Sequence, residues 1–379
     1  MEPIATASAI KRIGDQARQV FVDREDLIRA IELSFVSGQH AIVLGPPGTG
    51  KSAAIRYFAR AAGLSFFRRL LNPDTPREDL VGPIDPLALQ QGKWDRKWAG
   101  LATCNVAFLD EIGKASSQVV NMLLDAMEER RVTSGDVDMP IPLHAVFSAS
   151  NETIDDESAA VWDRFTIRLV VKYIKDGSKF ASLLSDAWNA EEPEIMPIDI
   201  EDLQACRSEC KRMAAEAHKS SSVMQAVMKL WRDIGNHSSM AVSDRRWLRA
   251  LQIAAASALL DERNRISVSD LLSARFVLWG DVNDIDSITA FIEDVVNAES
   301  QELQVAIQVV DEMEAKATPW TTGGTLPSDA ANLQTAATLL FRINQMLTSV
   351  EKKAQDRGDG WITLKERLEA LAKATDPTS

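Results

Sequence analysis

Cysteine and histidine are scarce in this 379-residue chain: three cysteines, Cys104, Cys206 and Cys210, and four histidines, His40, His144, His218 and His237. A sparse, odd set of cysteines excludes a disulfide framework and fits a reducing compartment. Cys206 and Cys210 are spaced as a helical metal or redox pair would be. With no further ligand near them in sequence, they read as two small core-side residues. The histidines show no zinc spacing. Long apolar runs are missing as well: none approaches the ~18 residues that a membrane-spanning helix needs. The opening residues Met1-Glu2-Pro3-Ile4 carry neither a basic n-region nor an apolar h-region, so no secretory leader is read there and a cytoplasmic location is expected. Positive charge is in deficit, with 42 Lys and Arg against 55 Asp and Glu, a net charge of −13. That weighs against broad nonspecific binding to nucleic acid, which needs phosphate neutralisation. It leaves room only for a local basic channel. Neither an internal repeat nor a low-complexity tract is visible.

What is present describes a globular protein: 45% hydrophobic and 26% charged residues, in a chain long enough for two or three domains. Its most informative stretch is Gly45-Pro46-Pro47-Gly48-Thr49-Gly50-Lys51-Ser52. The apolar run Ala41–Leu44 leads in and a helical pattern beginning at Ala53 leads out, the strand–loop–helix setting of a phosphate-binding loop. The glycines let backbone N–H groups approach phosphates, and the helix N-terminus adds its positive dipole end. Lys51 can reach the β- and γ-phosphates and Ser52 can ligate Mg²⁺. A nucleoside triphosphate site is therefore expected over Gly45–Ala53.

Strand and helix patterns alternate after a helical stripe of Leu27, Ile28, Ile31 and Phe35. Strands are expected at 41–44, 64–70, 106–109, 143–149 and 166–171, with helices at 52–62 and along Val119, Val120, Leu123, Leu124 and Met127. This alternation predicts a parallel sheet covered on both faces. The acidic, proline-bearing stretch 189–198 reads as a linker. Helical patterns follow at 200–217, 221–234, 243–261 and 267–279, and then over 286–379 with one break at Thr318–Pro327. The expected division is 1–188, 189–285 and 286–379.

Val106–Leu109 ends in Asp110 and Glu111, and the carboxyl ends of parallel strands are where ligands bind. Asp110 can complete a Mg²⁺ shell with Ser52, and Glu111 can polarise an attacking water. Val146–Ser150 ends in Asn151, which can position that water or touch the γ-phosphate. Arg164, in Trp162-Asp163-Arg164-Phe165, can supply positive charge from a neighbouring subunit, with Arg168 as the alternative. Ser243 reads as a helix N-cap, from whose first turn Arg245 or Arg246 can reach back to the phosphates.

These elements, in this order, resemble the AAA+ ATPases. The similarity is greatest to the MoxR family and, within it, to the RavA-like branch, whose Thr-Pro…Gly-Pro segment is similar to Thr75–Pro83 and whose extreme C-terminus is similar to the Gly360-Trp361 region. The chain departs from that branch in lacking its inserted β-rich domain: only the loop around 316–328 stands there. The resemblance implies an α/β fold, an AAA+ αβα core with a five-stranded parallel sheet, followed by an α-helical lid and a C-terminal helical domain. It implies ATP and Mg²⁺ as cofactors, with Ser52 and Asp110 on the metal. It also implies Glu111 activating water, Asn151 as sensor 1, Arg164 as a finger acting in trans and Arg245 as sensor 2. It implies a homo-hexameric ring and chaperone-like remodelling beside a partner with a von Willebrand factor A domain. A nucleic-acid motor or loader is the competing reading, disfavoured by the charge, and a non-hydrolysing scaffold is the third. Residues 286–379 follow every ATPase motif, so a docking role is expected of them, with bracing of the lid as the alternative. Their stripes Ile288, Phe291, Ile292, Val295 and Leu339, Leu340, Ile343, Met346, Leu347 are expected to pair.

Overall fold

The computed structural model describes residues 2–92, 95–134, 137–150, 159–186, 192–237, 242–321, 330–356 and 359–375. The elements begin with α1 (Pro3–Val20), α2 (Glu25–Ser37), β1 (Ala41–Leu44), α3 (Lys51–Ala61), β2 (Phe66–Leu70), α4 (Glu78–Val81), α5 (Pro86–Gln90) and β3 (Val106–Asp110). Next come α6 (Ser117–Glu129), β4 (Arg131–Ser134), β5 (Val137–Pro140), β6 (Ala145–Ser150), α7 (Ala159–Arg164), β7 (Ile167–Val170) and α8 (Gly177–Asp186). The rest is helical: α9 (Ile200–Glu216), α10 (Ser221–Gly235), α11 (Asp244–Leu260), α12 (Ile285–Thr321), α13 (Ala330–Asp356) and α14 (Asp359–Thr375). Among the described residues no helix is long and apolar enough to cross a membrane.

Two compact units emerge. The first comprises residues 1–214, 242–264 and 276–282 and the second 215–241, 265–275 and 283–379. In the first, five parallel strands run in the order β2-β3-β6-β1-β7. The three central strands are apolar at nearly every position because helices cover both faces, and Ala41–Leu44, Val106–Leu109 and Ala145–Ser150 are all buried. The edge strand β2 alternates instead and leaves Leu70 exposed. The α2 stripe of Leu27, Ile28, Ile31 and Phe35 is buried as its spacing predicts, and Phe35 stacks between Phe58 and Phe147 at 5.8 and 6.0 Å. Helices α1, α2 and α11 pack on one another. Cys206 and Cys210 are buried free thiols on α9, pushed up by burial, so the core-side reading holds. A short antiparallel hairpin, β4–β5, stands apart from the main sheet.

In the second unit α10 packs on α12, and α14 packs on α12 and α13. Val310 and Ala317 of α12 join Leu339, Ile343 and Val350 of α13 and Trp361, Leu364, Leu368 and Leu371 of α14 in one core. Arg367 closes that bundle with hydrogen bonds to Asp311 and Glu314. The pairing expected of the two stripes is not what forms. The α13 stripe meets α14 and the distal half of α12, whereas Phe291 lies edge-on to His237, just past α10, at 5.8 Å. The helix expected at 267–279 is a run of 3-10 turns over Val268–Phe276. There Asp270 accepts from the Ser267 backbone N–H and hydroxyl, a side-chain alternative to helical bonding. Helix α12 also runs to Thr321, past the expected start of the break.

Candidate nucleotide site

Strand β1 delivers the chain to Gly45, whose N–H donates to Ser150 O at 3.0 Å and whose φ is 143°. A Cβ there would lie 2.1 Å from Val171 O, so only glycine fits. Gly48 and Gly50, at φ 78° and 83°, complete the turn into α3. The loop is gripped from outside: Arg24 Nε donates to Thr49 O at 2.8 Å, and the Tyr173 hydroxyl donates to Pro47 O at 3.2 Å. Lys51 opens α3, is buried, and donates from Nζ to the carbonyls of Gly45 and Pro46. Burial pushes its ammonium down, and the charges of Asp110 and Glu111 pull it back up. The lysine and the two carboxylates thus share one electrostatic site, although β6 separates their strands. Ser52 is the second residue of α3 and Ala53 the third, on the turn whose N–H groups have no intrahelical acceptor.

Asp110 ends β3 in register with Leu70 and Ala149, and Arg68 lies 3.6 Å from its carboxylate. Glu111 adopts a left-handed backbone, φ 58° and ψ 45°, which is rare for a side chain of this size. Its N–H donates to Ala149 O at 2.9 Å, so the pairing of β3 with β6 holds the strained residue in place. Its carboxylate faces Lys114 Nζ at 3.4 Å. Asn151 follows β6 directly and lies outside the described residues.

The arginines separate into two classes. Arg168 sits on β7, is fully buried, donates to the carbonyls of Trp162, Phe165 and Trp279, and lies 4.4 Å from the centre of the Trp162 ring. Its guanidinium is thus held by three carbonyls and a ring of its own subunit. Arg164 ends α7 and donates to Glu128 at 2.9 Å from a partly exposed position. Arg245 donates to the same Glu128 and to Asp163, while Arg249 donates to Asp163 O at 2.8 Å. Burial alone would lower the Arg245 guanidinium, but Asp163 and Glu128 outweigh it and raise it. Its neighbour Arg246 turns inward to Trp279 O at 2.8 Å. The structure therefore groups Arg245 with Arg164 around Glu128. Ser243 occupies the N-cap position of α11 with extended backbone, but its side chain makes no capping bond. Arg24, Tyr173 and Glu128 had no signal in sequence, since each acts on residues at least 25 positions away. Among the described residues no cluster of three His, Cys, Asp or Glu side chains is arranged to hold a metal by itself.

Comparison with known proteins agrees with this geometry. Residues 8–207 match the family model described as the MoxR domain in the MoxR-vWA-beta-propeller ternary systems, and residues 222–292 match an AAA lid domain. An uncharacterized protein of Methanocaldococcus jannaschii is 28% identical over 309 residues, covering 80% of this chain and 77% of its own. The chaperone MoxR1 of Mycobacterium tuberculosis is 28% identical over 176 residues, covering 45% of this chain and 46% of its own. The crystal structure of a "putative ATPase" from Cytophaga hutchinsonii superposes with a TM-score of 0.60 at 19% identity, over 78% of this chain and 95% of that one, a likeness of fold. With the family model spanning more than half of its length and a phosphate loop facing two strand-end carboxylates, the chain belongs to the MoxR family of AAA+ ATPases.

Proposed function

We propose that the chain hydrolyses ATP at a site completed by a neighbouring subunit and uses the cycle to remodel a partner protein. The observation that carries this reading is the sharing of Glu128 by Arg164 and Arg245. Any surface that brings Arg164 to a neighbour's phosphates carries Arg245 with it, so both act across the subunit boundary of a ring, here taken as hexameric. Mg²⁺ fits the donor set: Ser52 and Asp110 offer hard oxygens, and this ion takes few protein ligands besides phosphate and water. When bound it neutralises charge on the phosphates. Lys51 holds the β- and γ-phosphates, Glu111 accepts the proton of the attacking water, and Asn151 orients that water. The backbone strain at Glu111 supports a catalytic role, since such strain concentrates at functional sites.

The partner reading rests on the matched model, whose domain belongs to systems containing a von Willebrand factor A protein. A partner of that class is proposed here too. The RavA-like affinity rests on Thr75–Pro83 and Gly360-Trp361 alone. The segments 1–188, 189–285 and 286–379 are proposed as motor, lid and docking element. A steady-state ATPase assay with Lys51→Ala and Glu111→Gln tests the site. The first should lose nucleotide binding, and the second should bind but not turn over. Wild-type turnover by Glu111→Gln would overturn the assignment.

A further inference from the structure

A second cationic site lies at the other end of the strands from the phosphate loop. Gly38 leads into β1 and His144 into β6, so both stand at the amino ends of strands whose carboxyl ends face Lys51. Arg130, in left-handed conformation at the end of α6, donates from Nη2 to Gly38 O at 2.8 Å. Arg207 of α9 crosses the same glycine: a Cβ on Gly38 would sit 2.8 Å from Arg207 Cδ and 3.3 Å from His144 Cε1. Arg130 Nε and Nη1 and Arg207 Nε are shielded from solvent and have no hydrogen-bond acceptor among the described residues. Lys211, one helical turn beyond Arg207, is exposed.

No carboxylate among the described residues balances these charges. Burial, and then Arg207, push the Arg130 guanidinium down to about 9. Arg207 and burial, and then Arg130, push the Lys211 ammonium down. The neighbouring histidines do not help, because both are held neutral. His40 accepts from Val146 N–H at Nδ1 and so donates from Nε2 to Met127 O, and burial depresses His144 to about 3. Cations shielded together, with donor atoms left over, are costly unless an anion joins them.

We propose that Arg130, Arg207 and Lys211 form a phosphate-binding site, with Lys211 at the solvent mouth and the orphaned donors of the two arginines at the inner end. A phosphate fits better than a carboxylate. Two guanidinium groups and an ammonium present donors from several directions, which a dianion with tetrahedral oxygens can meet and a planar monoanion cannot. The phosphate can be the free anion or the end of an ester.

The test uses the full chain with its phosphate loop saturated by a non-hydrolysable ATP analogue and Mg²⁺, so that Lys51 cannot report. Thermal unfolding is followed against inorganic phosphate and, in a separate arm, glycerol phosphate, with potassium chloride and acetate at matched ionic strength. Wild type should be stabilised saturably by inorganic phosphate. A response to the ester as well shows that the mouth admits a substituent, and a response to the free anion alone shows that it does not. Arg207→Gln should unfold at a higher temperature than wild type in phosphate-free buffer, because one of two repelling cations is gone. It should also bind phosphate at least ~10-fold more weakly. That opposite pair of shifts is not produced by loss of packing. Lys211→Gln, a surface change, should weaken the response less. Equal responses to phosphate, acetate and chloride, or a full response in Arg207→Gln, would overturn the proposal.

Discussion

Replacing Arg164 by alanine separates what the residue does for its own subunit from what it does for a neighbour. Within the subunit its ion pair with Glu128 is partly exposed, and such pairs contribute about 0.2–1 kcal/mol. Glu128 is not orphaned by the change, because Arg245 still holds it. The stability lost with this pair is therefore ~1 kcal/mol or less, a shift of a few degrees in Tm. As a finger acting in trans, the same side chain is worth roughly 10³–10⁵ in rate. At ~1.4 kcal/mol per decade that is roughly 4–7 kcal/mol of barrier, several times the folding effect. Phosphate release, nucleotide binding and thermal unfolding measured on one preparation should show turnover nearly abolished, affinity retained and Tm almost unmoved. Mixing Arg164→Ala with Glu111→Gln subunits should restore some activity, since a few boundaries then pair an intact finger with an intact carboxylate. A mutant that keeps its turnover, or a co-assembled mixture with no rescue, refutes the shared-site reasoning.

Three further outcomes follow from the geometry. Gly45→Ala places a methyl group against Val171 O at a φ only glycine tolerates, so it should cost about 1–3 kcal/mol or more and weaken nucleotide binding. Gly48→Ala meets nothing within 4 Å and carries only the backbone strain of its φ of 78°, so its Tm loss should be smaller, and equal Tm losses for the two would refute the packing argument. His144, held neutral down to about 3 against an ordinary 6.5, binds fewer protons folded than unfolded between those values. Its share of stability is thus complete above pH ~6.5 and is lost on acidification below it, by up to ~1.4 kcal/mol per pH unit. Urea midpoints at pH 6.5 and 5 should fall less steeply in His144→Gln, and identical slopes would contradict this. A chain ending at Asp284 uncovers α10 and should aggregate, while one ending at Ala298 should keep its ATPase activity and lose its partner; unchanged partner capture by the second refutes docking through 299–375.

The parts of the site written in contiguous residues were legible in advance. Gly45–Ser52 needs glycine, lysine and serine at fixed offsets, and the run ending in Asp110-Glu111 announces a buried strand and its carboxyl end. The choice between Arg164 and Arg168 was not legible. The two are four residues apart, and a strand covered on both faces hides either orientation. What the structure adds is the set of carbonyls that hold Arg168, at Trp162, Phe165 and Trp279, one of them more than a hundred residues away. The same distance problem hid the grip of Arg24 on Thr49 and the role of Glu128 in gathering Arg164 and Arg245. The hairpin β4–β5 did leave a signal, Gly135-Asp136 between two short runs, which strand periodicity alone passes over.

The C-terminal helices show why two good stripes do not specify a pair. Ile288, Phe291, Ile292 and Val295 and the Leu339–Leu347 set each have helical spacing, and nothing in that spacing names a partner. Helix α12 runs from Ile285 to Thr321 without a break, long enough to serve two different neighbours along its length. Its proximal turns bury Ile288 and Ile292 in the region where it packs on α10, and its distal turns give Val310 and Ala317 to the bundle with α13 and α14. A single stiff helix with one end in each cluster makes bracing and docking compatible. The proximal end stabilises the helices that follow the motor, and the distal bundle, with its own core and the Arg367 bonds to Asp311 and Glu314, is built to hold its shape beside them. The boundary between the two clusters therefore falls within α12 and not at the start of the helix.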